Sequence, residues 1–184
     1  MPNTAVLLMD LQRDFLGAAG SRMPVDAIGA EAVLRTANAI LSKSTLASSI
    51  PIIVMNQFPV SNRVANFFRK GAAVVDTAGA ELDARVQNVG HAKVITKSMP
   101  SAFTNPELDA YLRAQGVREL YVMGVFAEGC VRSTVLDARR RGYPVNVIAD
   151  AVATNAPWKK RFALWAIKRA GAHLLPTVGA QNVS

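Results

Sequence analysis

Two hydrophobic periods alternate along the chain. Short apolar runs at residues 5–9, 50–55, 94–95, 120–123, 143–149 and 172–175 are each bounded by a polar residue, a glycine or a proline. Runs of this length without internal alternation read as strands buried on both faces. Between them the apolar positions move to helical spacing. In 27–46 they are Ile28, Ala32, Val33, Ala39, Ile40 and Leu46, with Ser48 and Ser49 as the stop. A second helix is predicted over 106–113, with Pro106 at its first position, where proline is favoured, and Gly116 beyond its end. A third starts near residue 130, with Val131, Val135 and Ala138 on one face, and a fourth covers 157–170. Strands alternating with helices predict a parallel sheet with helices on both faces.

Two stretches fall outside this rhythm. Residues 57–90 carry no clear period, and a connection this long in a compact domain usually serves function. It is expected to form part of a pocket wall. The tail at 179–184 is expected either to fray or to make subunit contacts, and Trp158, Phe162 and Trp165 add apolar surface near it, which predicts self-association. There is no internal repeat and no low-complexity segment.

Composition narrows the class. At 184 residues the chain fits a single domain over 1–184, and although 51% of residues are hydrophobic, no run approaches the ~18 apolar residues of a membrane span. The start, Met1-Pro-Asn-Thr, lacks the basic region of a secretory signal, and one cysteine permits no internal disulfide, so a cytoplasmic setting is expected. The net charge of +8 is dispersed into short clusters, Arg139-Arg-Arg141, Lys159-Lys-Arg161 and Lys168-Arg169, which read as solvated faces and helix ends rather than a nucleic-acid surface.

The chemistry concentrates at strand ends. The first strand runs into Asp10, the third ends at Lys97, and the fourth leads through a glycine-bounded turn to Cys130 at the start of a helix. Ligands of an open parallel sheet lie outside the carboxyl ends of its strands, so these three side chains can converge. A helix N-terminus and a neighbouring ammonium favour a thiolate, and a carboxylate within reach can take the thiol proton. Asp14 is expected to cap the turn after the first strand.

The segments Asp10-Leu-Gln-Arg-Asp-Phe15, Lys97 with Ser101-Ala-Phe103, Gly124-Val-Phe-Ala-Glu-Gly-Cys130-Val131, Asp137-Ala138, Gly142-Tyr143 and Asp150-Ala151, in this order, resemble the isochorismatase-like cysteine hydrolases, a family that includes nicotinamidases. The resemblance runs from about Thr4 to Pro176. It implies a three-layer α/β/α fold with a parallel, Rossmann-like sheet of about six strands. It also implies C–N bond hydrolysis of a small amide or ureide through a thioester. Cys130 would be the nucleophile, Asp10 the general base and Lys97 the cation holding both; the backbone N–H groups of Phe126 and Cys130 would form the oxyanion hole. A cis peptide between Val125 and Phe126 is implied as well, with Gly124 and Gly129 easing the turn. Phe15, Asn56 and Phe126 are expected to line the substrate pocket.

No cofactor is expected. Metal-binding nicotinamidases of the family place an aspartate and histidines after the second strand; here that segment reads Asn56-Gln57-Phe58, and His91 and His173 lie far from it. The family's frequent Thr-Asp pair is Ala127-Glu128 here, and Phe126 is bulkier than usual, which predicts a smaller or flatter pocket. Two other classes compete. A non-catalytic binder would turn the basic clusters to an anionic partner, and a thiol redox sensor would use Cys130, although the chain has no resolving cysteine.

Overall fold

The computed structural model describes residues 4–43 and 46–177. The tail at 179–184, proposed above as a contact segment, lies outside the described residues. Six strands form one sheet: β1 (Thr4–Met9), β2 (Ile50–Asn56), β3 (Lys93–Lys97), β4 (Glu119–Val125), β5 (Val145–Ala153) and β6 (His173–Leu175). Their order is β3-β2-β1-β4-β5-β6, and every neighbouring pair is parallel. The fold is therefore the three-layer α/β/α arrangement that the alternation predicts. Between β1 and β4 the winding reverses direction, which opens a crevice at the carboxyl edge.

Period-2 alternation in β1 divides the core. Val6 and Leu8 pack on the side of α1 (Ala27–Leu41), whereas Ala5, Leu7 and Met9 pack on the opposite side. That second side is covered by α3 (Pro106–Ala114), α4 (Arg132–Arg140) and α5 (Pro157–Arg169), through Leu108, Leu112, Val135, Ala138, Ala163 and Ile167. Fully burying a side chain such as Leu108, Leu112, Val135 or Ile167 contributes roughly 1.5–3 kcal/mol. α1 alone does not cover its side. The aperiodic connection supplies Phe58, Ala72, Ala73, Ala80 and Val86 to the same core and contains the short α2 (Arg63–Phe68), none of whose residues is buried.

Three expectations about element limits are corrected. The first helix ends at Leu41 rather than Leu46, and its buried stripe is Ala30, Val33, Leu34, Ala37, Ile40 and Leu41. Ile28 is 84% exposed, so the stripe had been read out of phase. Leu46 is still buried, but outside the helix, and both Lys43 and Leu46 have left-handed backbone. Asp150 does not end β5: the strand runs to Ala153, its pairing with β4 shifts register between Val122 and Gly124, and the exposed Asp150 carboxylate accepts the Thr177 N–H. Thirdly, Cys130 does not open an α-helix. It lies within a π-helical turn, Ala127–Val131, which runs directly into α4.

The basic clusters are partly absorbed by the fold. Arg139 donates to the Tyr143 carbonyl, Arg140 pairs with Asp137, and Arg141 sits over the Phe103 ring. Arg139 and Arg140 occupy the last turn of α4, where cations complement the helix dipole.

Candidate active site

Strand ends deliver the polar groups. Adjacent strands lie about 4.8 Å apart, so β3 and β1, separated by β2, are too distant for short side chains to meet. A lysine is long enough. From the end of β3, Lys97 Nζ passes Asn56 at the end of β2, donating to its Oδ1 at 2.7 Å, and reaches Asp10 Oδ2 at 3.0 Å. The same ammonium lies 3.2 Å from Cys130 Sγ, and the Asn56 amide nitrogen approaches that sulfur at 3.6 Å. The sequence-predicted Asp10, Lys97 and Cys130 thus meet around one nitrogen.

Two devices aim these groups. Asp10, directly after β1, has left-handed backbone (φ 56°), a conformation that aspartate tolerates better than most residues, and its N–H bonds the Val54 carbonyl at 2.8 Å. Gln12, fully buried, extends the β1–β2 ladder with its side chain. Its Oε1 accepts the Asn56 N–H and its Nε2 donates to the Asn56 carbonyl, both at 2.8 Å. It also donates to the Ala80 carbonyl. Gln12 lies in the motif after β1, and its burial between two backbone segments identifies its role.

Beyond β4 the peptide Val125–Phe126 is cis. Gly124 is required twice over: its φ of +115° is one that L side chains rarely adopt, and a Cβ there would clash with the Met9 backbone, so glycine permits β1 and β4 to approach. Gly129 carries no such constraint, since its nearest neighbour to an added Cβ is 3.8 Å away.

The electrostatics also correct an expectation. Cys130 is held not as a ready thiolate but with its pKa pushed up to about 12, first by burial and then by the negative charge of Asp10, against which the pull of Lys97 is insufficient. Burial raises the Asp10 pKa as well, and Lys97 opposes it. For Lys97, burial works against the charge, but the attraction of Asp10 and Cys130 prevails and its pKa rises. The site holds one buried cation and two acids. One ammonium cannot offset two anions, and burial together with the negative charge of Asp10 keeps the proton on the thiol. Asp10 Oδ1 is buried and has no hydrogen-bond partner among the described residues.

Cys130 opens onto a pocket of about 410 Å³, within the range of small-molecule sites. Phe15, Asn56 and Phe126, predicted to line it, do so, and Phe15 meets Phe126 edge to face at 5.5 Å. The aperiodic connection contributes Phe58 and Arg69 to the wall, and the loop after β3 contributes Met99 and Pro100. Glu128 and Lys159, paired at 3.6 Å, stand at the same pocket. Asp14 lies outside it. Its carboxylate accepts the N–H groups of Arg22 and Ala73, tying the loop after β1 to the aperiodic connection.

Comparison with known proteins agrees with this construction. The chain matches the family model described as Isochorismatase domain over residues 4–178. It is 31% identical to a protein of Arabidopsis thaliana named probable inactive nicotinamidase, over 84% of this chain and 83% of that one. Identity to the nicotinamidase of Escherichia coli is 27%, covering 82% and 83% of the two chains. The crystal structure of the Pyrococcus horikoshii pyrazinamidase in complex with zinc superposes with a TM-score of 0.83 at 29% identity, over 95% of this chain and 99% of that one.

The segment after β2, where the family resemblance would place metal ligands, carries none of that kind. Past β2 the chain offers Asn56, Gln57 and Phe58; His91 lies in the short turn before β3 and His173 in β6, at the opposite edge of the sheet. Among the described residues no three His, Cys, Asp or Glu side chains gather as metal ligands, so the residues present do not fit a metal and no step below passes through one. Among the described residues no helix is long and apolar enough to cross a membrane. A family match over residues 4–178, nearly the whole chain, means that this chain belongs to the isochorismatase family.

Proposed function

We propose that the protein is a cysteine-dependent amidohydrolase that cleaves the C–N bond of a small amide or ureide through a thioester. The observation that carries this reading is the single ammonium, Lys97 Nζ, within 3.2 Å of the Cys130 sulfur and 3.0 Å of the Asp10 carboxylate, beside a pocket sized for a small molecule. The nicotinamidase and pyrazinamidase among its relatives support the substrate class.

Because the resting thiol is protonated, attack and deprotonation are coupled. As Sγ bonds to the carbonyl carbon, the thiol proton passes to Asp10, whose Oδ1 is unpartnered among the described residues. The carbonyl π electrons move to oxygen, and the backbone N–H groups of Phe126 and Cys130 stabilise the resulting oxyanion. Collapse breaks the C–N bond, Asp10 returns the proton to the departing nitrogen, and ammonia or an amine leaves. Asp10 then takes a proton from water, which attacks the thioester; the sulfur leaves as the carboxylic acid forms and recovers the proton. Lys97 stays charged throughout, offsetting whichever of the two acids is ionised.

The assay is ammonia release from a panel of small amides, ureides and nicotinamide. Cys130→Ala is expected to abolish it while the folded spectrum is retained. Unchanged turnover in that variant would overturn the nucleophile assignment.

A further inference from the structure

The pocket wall carries a cation that the mechanism does not use. Arg69, directly after α2, lies with its guanidinium carbon 3.7 Å from the centre of the Phe58 ring, and Nη1 donates to Asn66 Oδ1 at 3.2 Å. Both Arg69 and Phe58 line the pocket beside Cys130. No carboxylate among the described residues pairs with Arg69. The other charges at the site are matched: Lys97 with Asp10, and Lys159 with Glu128. Counting Arg69 and Lys159 against Glu128, the pocket wall keeps one positive charge, and Arg69 is the residue that supplies it.

Phe15, Met23, Phe58, Met99, Pro100 and Phe126 make up the apolar part of the wall, and its other polar groups, Asn56, Ser98 and Asn155, are uncharged. A cation in such surroundings gives up part of its hydration without recovering a counter-charge, and burial lowers the Arg69 pKa accordingly. Stacking on Phe58 fixes the guanidinium plane, which leaves a planar fork suited to a planar anion. A carboxylate meets that geometry two oxygens to two N–H groups.

Resting on the amidohydrolase reading, we propose that Arg69 is a specificity-determining residue which binds a carboxylate on the substrate, so that the preferred substrates are small amides or ureides that also carry an acid group. The aromatic walls hold the carbon chain between the two ends, and the scissile carbonyl is presented to Cys130 while the acid is held at Arg69. A neutral amide of the same shape leaves the guanidinium unpaired and binds less well.

The test uses matched pairs that differ only in the acid: N-carbamoylglycine against its methyl ester, and succinamate against its methyl ester. For the wild-type protein kcat/KM is expected to favour the acid of each pair. In Arg69→Gln the acid-to-ester ratio should fall by about 10–100-fold, mainly through KM, the range expected when a hydrogen bond to a charged group is lost. Arg69→Lys should recover part of the ratio, because it keeps the charge without the fork. Arg69 is itself not a core residue, and the folded spectrum of each variant shows whether Phe58, which it covers, stays in place. An acid-to-ester ratio that is the same in wild type and Arg69→Gln overturns the proposal.

Equilibrium binding separates this proposal from the reading it rests on. Binding of succinamate and of its methyl ester to Cys130→Ala, with and without Arg69→Gln, is measured calorimetrically and needs no turnover. An acid preference that disappears with Arg69, while the wild-type protein releases no ammonia from any compound of the panel, sustains the anion subsite and removes the amidohydrolase reading. Absence of an acid preference with Arg69 present removes the subsite, whatever the turnover.

Discussion

Replacing Lys97 by methionine removes the charge at the centre of the site while keeping a straight side chain of similar bulk. The ammonium and the Asp10 carboxylate are both fully buried, 3.0 Å apart. At an effective dielectric constant near 20, two unit charges at that distance attract by about 5 kcal/mol, most of which offsets their desolvation. Removing one partner leaves the other uncompensated, at a cost of about 3–5 kcal/mol. For a chain of this length each kcal/mol lowers Tm by roughly 2–4 °C, so Lys97→Met should melt roughly 6–20 °C below wild type. The loss depends on pH with a definite sign. Burial already raises the folded pKa of Asp10, and Lys97 is the main influence holding it down. Without Lys97 it rises further, so the variant's native state binds a proton that the unfolded chain releases. The penalty is full above the folded pKa of Asp10 and shrinks as pH falls through it. Thermal unfolding between about pH 8 and pH 5 should show the variant and wild type converging on the acid side. Asp10→Asn in the same chain should restore part of the stability at the alkaline end. A loss under about 1 kcal/mol, or one that is independent of pH, would refute the view of Asp10 and Lys97 as a mutually dependent buried pair.

Asp10→Asn by itself should abolish turnover yet make Cys130 more reactive. The Asp10 charge holds the thiol pKa up, so its removal should speed iodoacetamide alkylation at neutral pH, by about tenfold for each pKa unit released; slower alkylation would contradict the charge assignment. Chelator should leave amidase activity unchanged, because no metal donor set gathers among the described residues, and loss on chelation restored by zinc would overturn this. The protein should self-associate through α5, where Trp158, Phe162 and Trp165 are exposed and Phe162 stacks on Trp165. Light scattering at micromolar concentration tests it, with a monomer counting against the expectation and Trp158→Glu expected to weaken the assembly.

The sequence by itself determined the sheet and the location of the site. Short uniform apolar runs between glycines and prolines read as strands buried on both faces, and consecutive parallel strands end at one edge, so Asp10, Asn56 and Lys97 share that edge. The thiol at the turn after β4 followed from the glycine-bounded stretch before it. Other features had no local signature. Arg69 follows a helix with no buried face, so no period announces it, and only the packing of the aperiodic connection against the α1 side brings it to the pocket. Gln12 lies in the motif after β1, but its role shows only when its amide is found between two backbone segments. The phase of α1 was misjudged because Ile28, an apolar residue in the first turn, faces solvent. The protonation of Cys130 was read with the wrong sign, since a thiol pKa sums burial and every nearby charge, and those distances exist only after three strand ends and a turn have been brought together. Hydrophobic period is a local property and survives in the sequence; charge balance within a pocket is a property of the assembled neighbours, and tertiary structure alone decides it.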